Sequence, residues 1–225
     1  MEENLRCIQL QKKPSILSKV FKFILLLVIA GSLTLGLILI GVPKWLVFVI
    51  IILLYILYSA VWPAHIIYKS KSIKAIHRYI KGNTSQPIFK YAYALANDQE
   101  QSIESALKLI VNEYKDDDMT HIYGAKLAIY QNKSSEILEQ AEKIEDENYK
   151  NYYNAYANVL KGHFDVASGY ISQVQTPWMI HSLKAVEAKK RGNMEGFRDE
   201  AALSIESAVG IQRYVLHHTM RRLEN

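Results

Sequence analysis

Apolar residues follow two different patterns along the chain. From Phe23 to Ala64 they run almost without a break, and the only charged residue is Lys44. From Ser70 onward they recur every three or four residues with polar positions between them, the spacing of amphipathic helices. No convincing strand-type alternation and no glycine-rich phosphate loop interrupts that second pattern. The expected class is all-α throughout.

Within the first pattern, Phe23–Val42 and Trp45–Ala64 are each twenty uncharged residues. Roughly 20 residues, at about 1.5 Å rise, cross a hydrocarbon core of about 30 Å. A single helix through both would be about twice that thickness and would hold Lys44 near its centre, where a charge is costly. Gly41-Val42-Pro43-Lys44 has instead the chemistry of a tight turn. Glycine tolerates unusual dihedrals, proline disfavours helix at Val42, and Lys44 can reach headgroups.

These features predict a transmembrane hairpin over 20–68, with spans at about 21–42 and 45–67. A basic tail, 1–19, precedes it and a basic juxtamembrane helix, 69–84, follows. A cleaved signal peptide fits poorly, because the charged leader and apolar core are both long and no small-x-small site precedes the turn. No ionisable group lies at membrane depth, so anchoring is expected rather than transport.

Charge then sets the orientation. Arg6, Lys12, Lys13, Lys19 and Lys22 precede the first span, and Lys69, Lys71, Lys74, Arg78 and Lys81 follow the second. Positive flanks stay inside, which predicts a two-span cell-membrane protein with both termini cytoplasmic. Residues 1–81 carry eleven Lys/Arg against two Glu, a net of +9, whereas residues 82–225 have a net of −4. The basic pI of about 9.0 therefore belongs to the membrane flanks, where anionic lipid attracts it. A nucleic-acid reader needs its positive charge on the folded domain, so the lipid bilayer is an expected partner and nucleic acid is not. Cys7 is the only cysteine, which leaves no disulfide within one chain and no cysteine-rich zinc site.

The second pattern repeats. Asn132, Gly162 and Gly192 stand thirty residues apart at breaks between helices. Seven residues before them lie Ala125, Ala155 and Ala185; five after lie Ile137, Ala167 and Phe197; nine after lie Ala141, Ile171 and Ala201. A small residue in the first helix lets the second approach, and apolar positions in the second fill the gap. This is a helix-turn-helix unit used three times, with a looser unit at about 85–115 and a closing helix at Ile211–Leu223. Thr176-Pro177 predicts a capped helix start.

The stretch "LKGHFDVA", residues 160–167, resembles tetratricopeptide-like repeats. Gly162, Phe164 and Ala167 match that family's glycine, aromatic and alanine around the inter-helix turn, and Ala155 matches its small first-helix residue. "KRGNMEGF", 190–197, keeps Gly192 without the alanine, and "YQNKSSEI", 130–137, keeps a related turn. The resemblance covers about 85–210. It implies an α-solenoid of about four helix pairs plus a closing helix, within a repeat domain of 85–225.

It also implies protein binding along an inner surface lined by first-helix residues. Those would be Met119, Ile122, Lys126 and Ile129; Tyr149, Tyr152, Tyr156 and Val159; and Met179, Ser182 and Val186. Tyr149, Tyr152 and Tyr156 form one helical stripe. They either line a groove, as tyrosines in binding surfaces do, or pack between repeats and under the final helix.

No catalytic constellation emerges. His121 and His181 lie two periods apart, about 20 Å at roughly 10 Å per helix layer, too far to share a metal. Neither a His-Glu-x-x-His nor a Gly-x-Ser-x-Gly motif occurs. Asp116, Asp117 and Asp118 lack the spacing of a calcium loop and suit a helix N-terminus instead. No cofactor, metal or catalytic residue is expected. The expected function is a membrane-anchored scaffold or adaptor presenting a cytoplasmic helical-repeat domain to other proteins. The alternatives are an accessory or regulatory subunit of a larger membrane complex, and an enzyme with a dispersed site.

Overall fold

The structure is a computed structural model that describes residue 28, residues 31–114 and residues 118–225. Residues 21–27, 29 and 30 of the span expected at 21–42, the tail 1–19, and Asp116 and Asp117 lie outside the described residues. Among the described residues the regular elements are all helical and no strand occurs. Two compact units are present, Met1–Pro63 and Ala64–Asn225.

In the first unit, residues 31–39 are helical and stop where the sequence predicts a turn. Gly41 takes a left-handed φ of +83°. Its amide donates to the Ile38 carbonyl, and the Val42 amide donates to the Leu37 carbonyl, both at 3.0 Å. This pair of bonds satisfies carbonyls the helix end would leave open. Pro43 then caps α1, Lys44–Tyr68, which has 25 residues and is long and apolar enough to cross a membrane. Its range matches the span expected at 45–67.

One turn of α1, Leu57–Val61, widens to a π-helix. Pro63 accounts for it: proline has no amide for the Ser59 carbonyl and its ring crowds that carbonyl, and the wider turn makes room. The Ser59 hydroxyl donates to the Tyr55 carbonyl at 2.7 Å.

The second unit contains α2 (Ile73–Gly82), α3 (Pro87–Ala96), α4 (Glu100–Glu113), α5 (Asp118–Tyr130), α6 (Ser134–Glu142), α7 (Glu147–Lys161), α8 (Phe164–Ile171), α9 (Pro177–Lys190), α10 (Met194–Ser207) and α11 (Gly210–Glu224). In α2 the Ser72 side chain caps the Ala75 amide at 3.3 Å. The helix buries Ile76 and Ile80 and leaves Lys74, Arg78 and Lys81 exposed on the opposite side.

Helices α3 to α10 form four antiparallel pairs, and the turns show why the thirty-residue spacing exists. Asn132, Gly162 and Gly192 all take positive φ, at 57°, 78° and 78°. At each, two amides reach back to the preceding helix, as Gly162 does to Val159 and His163 does to Asn158. Asp98, φ 52°, makes the same closure with the Leu95 and Ala94 carbonyls, aided by the next residue, Gln99. The looser first unit therefore uses the same turn, 34 residues ahead of Asn132. Ala125, Ala155 and Ala185 have no exposed surface, so the small first-helix residue does sit at the close approach.

Hydrogen bonds also repeat with the period. Asp118 accepts from the Glu145 and Asp146 amides at 2.8 and 3.1 Å, and Asn148, thirty residues on, accepts from the Gln175 amide at 2.8 Å. His121 contacts Gln140 at 3.0 Å and His181 contacts Glu200 at 2.7 Å, so both histidines join the two helices of a pair. Thr176 precedes α9 as expected, but its hydroxyl accepts from the Asn148 side-chain amide at 2.8 Å and caps nothing in its own helix. Asn148 competes successfully because the neighbouring pair brings it beside the turn.

Helix α11 does more than close the last pair. It packs on α10 and also on α2 and α3. Arg221 pairs with Asp98 at 3.0 Å, Arg222 pairs with Glu100 at 3.4 Å, and the Tyr214 hydroxyl lies 2.7 Å from His77 Nδ1. Gly210 opens the helix at φ 59°, with its amide donating to the Ser70 carbonyl at 2.8 Å. A Cβ there would lie 1.8 Å from the Ile67 carbonyl oxygen, so only glycine permits this approach.

Candidate functional site

The first helices of the pairs, α3, α5, α7 and α9, turn one side toward α11, and between them lies a cavity of about 430 Å³. Lys126, Ile129, Tyr152, Tyr156, Ser182 and Val186 line it, so six inner-surface positions named from the sequence do meet in one place. Ile122, Val159 and Met179 are buried away from it among the helices. Met119 and Tyr149 are partly buried and pack against the core outside the lining. The tyrosine stripe thus divides. Tyr152 and Tyr156 face space covered by α11, and Tyr149 sits at the start of α7, its amide capped by Asp146 at 3.0 Å.

The polar groups of the cavity are mainly hydroxyls, with Lys126, Arg222 and Glu100 as its charged groups. The Ser182 hydroxyl donates to the Tyr152 oxygen at 3.2 Å. Lys126 Nζ stands 4.6 Å from the centroid of the Tyr123 ring and has no carboxylate partner among the described residues. Burial holds its ammonium down to about 8, because low-dielectric surroundings penalise the charge and nothing anionic repays it. Burial also pushes the Tyr152 hydroxyl up to about 12 against the opposing Ser182 hydrogen bond, and raises Tyr91 and Tyr156 as well. These phenols stay neutral and able to donate.

The apolar wall comes from Leu95, Ile103 and Leu107 on one side and Val215, Leu216 and Met220 of α11 on the other. At one end Arg222 lies 5.7 Å from the Tyr130 ring centroid while paired with Glu100, forming a rim. Trp178 packs edge-on to Tyr152 with centroids 5.7 Å apart. The α3, α4 and α11 contributors were not among the residues named from the sequence. The helical spacing of Val215, Leu216 and Met220 was the available signal that the closing helix had a face to bury.

No group of three or more His, Cys, Asp or Glu among the described residues is placed to hold a metal ion. No protein-family model, curated protein or solved structure matches the chain.

Proposed function

We propose that the chain is a membrane-anchored interaction module: a two-span hairpin with both termini cytoplasmic, carrying a tetratricopeptide-like array that engages other proteins. The observation that carries this reading is the repeated helix pair, closed four times by the same left-handed residue at Asp98, Asn132, Gly162 and Gly192. Stacked pairs of this kind build extended surfaces without needing a catalytic centre. The anchor is supported by α1, whose Trp45, Phe48, Tyr55, Tyr58 and Trp62 are exposed and call for a lipid cover.

Because α11 covers the inner side, partner proteins meet the second helices of the pairs. Exposed Leu109, Val166 and Leu203, one each on α4, α8 and α10, are apolar footholds there. The test is cross-linked capture by the full chain in lipid nanodiscs, compared with Val166→Asp and Leu203→Asp. Loss of the same partners in either variant supports the module; an unchanged partner set in both removes the outer face from consideration. A 64–225 fragment that keeps those partners favours an adaptor, and one that loses them all favours an accessory subunit bound through the hairpin.

A further inference from the structure

The space under α11 combines three properties that the packing of the array does not require. It is large for a packed interior, at about 430 Å³, within the usual range of small-molecule sites. Most of its wall is apolar, but one cation stands in it without an anion, Lys126. The hydroxyls of Tyr91, Tyr153 and Tyr156 have no hydrogen-bond partner among the described residues, and all three residues line the cavity. None of the three is a sealed, unsatisfied atom, so each retains access to open space.

A partly buried ammonium and a set of hydroxyls opening onto the same space call for something in that space to accept their bonds. The complementary molecule supplies a single negative charge, acceptor oxygens and an apolar body. A doubly charged phosphate suits the interior less well, since the only other lining cation, Arg222, is already paired with Glu100 at the rim.

We propose that this cavity binds a small amphipathic carboxylate, its head paired with Lys126 and the tyrosine hydroxyls and its apolar body lying against Ile103, Leu107, Leu216 and Met220. The site is independent of whether proteins bind the outer helices. It makes α11 a ligand-contacting element as well as a closing one.

Trp178 allows a direct test, because it lines the cavity and the chain has only two other tryptophans, Trp45 and Trp62. The full chain carrying Trp45→Phe and Trp62→Phe, in lipid nanodiscs, is titrated with octanoate and separately with octanol while Trp178 emission is followed. Octanoate is expected to give a saturable change. Lys126→Met is expected to weaken octanoate by about tenfold, the loss of one charge-assisted contact, and to leave octanol unchanged. Val186→Trp, read by thermal shift because it adds a fluorophore, is expected to abolish octanoate binding by filling the space. The proposal is overturned if octanoate gives no saturable response, or if Lys126→Met binds it as tightly as the parent. Retained binding in Val186→Trp likewise overturns it, since the molecule would then lie elsewhere.

Discussion

In α1, Phe48 is 67% exposed and Trp62 61%; in α7, Tyr153 is 1% exposed. Composition alone suggests the reverse. Helix α1 is apolar on all sides, whereas α7 reads ENYKNYYNAYANVLK, with Asn at three of the positions it buries. Helix α7 lies between α6 and α8 and also touches α5 and α9, so protein surrounds it. Its asparagines are tolerated because a bond such as Asn158 Nδ2 to the Asn154 carbonyl, at 2.8 Å, supplies a partner inside the helix. Over Lys44–Pro63, the part of α1 in the first unit, there is no comparable protein cover, and Val47 is the one buried residue among those described; Ile66, in the second unit, is the other buried residue of the helix. Hydrophobicity states how much cover a helix needs; the neighbours decide whether protein or lipid provides it.

The comparison breaks most visibly at Tyr153. Tyr153→Ala removes a fully buried aromatic and is expected to cost about 3–5 kcal/mol, lowering the thermal midpoint of the repeat domain. Phe48→Ala, measured in the same nanodiscs, is expected to leave that midpoint in place. Equal losses would mean that both helices sit in protein. Next comes Gly210→Ala, whose Cβ collides with the Ile67 carbonyl; it is expected to cost about 1–3 kcal/mol and to expose the amides of α11 first in hydrogen exchange.

Acid should act on the same helix. His218 is buried in α11 with neither ring nitrogen bonded, and burial, followed by the charges of His217, Arg221 and His77, lowers it from 6.5 to about 4. The unfolded chain therefore binds the proton first. Stability from this group is complete above pH 6.5 and declines as pH falls through about 4, by up to about 2 kcal/mol after allowance for screening. His218→Phe should remove that pH dependence, and a stability–pH curve identical to the parent's would refute the assignment.

The turns give the smallest effects. Gly162→Ala places a side chain at φ 78° and is expected to cost about 1 kcal/mol in urea unfolding. Gly169→Ala, in the exposed middle of α8 with open space at its Cβ, is expected to add about 0.5–1 kcal/mol. Two glycines only seven residues apart thus change stability in opposite directions, and matching signs would contradict the left-handed turn.

Local chemistry was the most legible part of this fold. The left-handed turn residue must be one that tolerates positive φ, so Asn132, Gly162 and Gly192 announced the period, and the inner positions Lys126, Ile129, Tyr152, Tyr156, Ser182 and Val186 were those implied by the resemblance to tetratricopeptide-like repeats. Asp98 was harder to recognise, since an aspartate carries no glycine signal and its spacing to Asn132 is 34. The closure by α11 was not legible as a contact. It depends on Arg221 meeting Asp98 and Tyr214 meeting His77, pairs separated by 123 and 137 residues with no shared periodicity. The π turn in α1 had its cause in view, at Pro63, but a proline in an apolar run fits a kink, a break or a widened turn equally well.

The topology of the anchor admits the most direct test. In a Cys7→Ser background, single cysteines at Lys44→Cys and Asn225→Cys are exposed in intact cells to a membrane-impermeant thiol reagent. A two-span hairpin with cytoplasmic repeats predicts labelling at position 44 from outside and at position 225 only after permeabilisation. Labelling of Asn225→Cys in intact cells would contradict it.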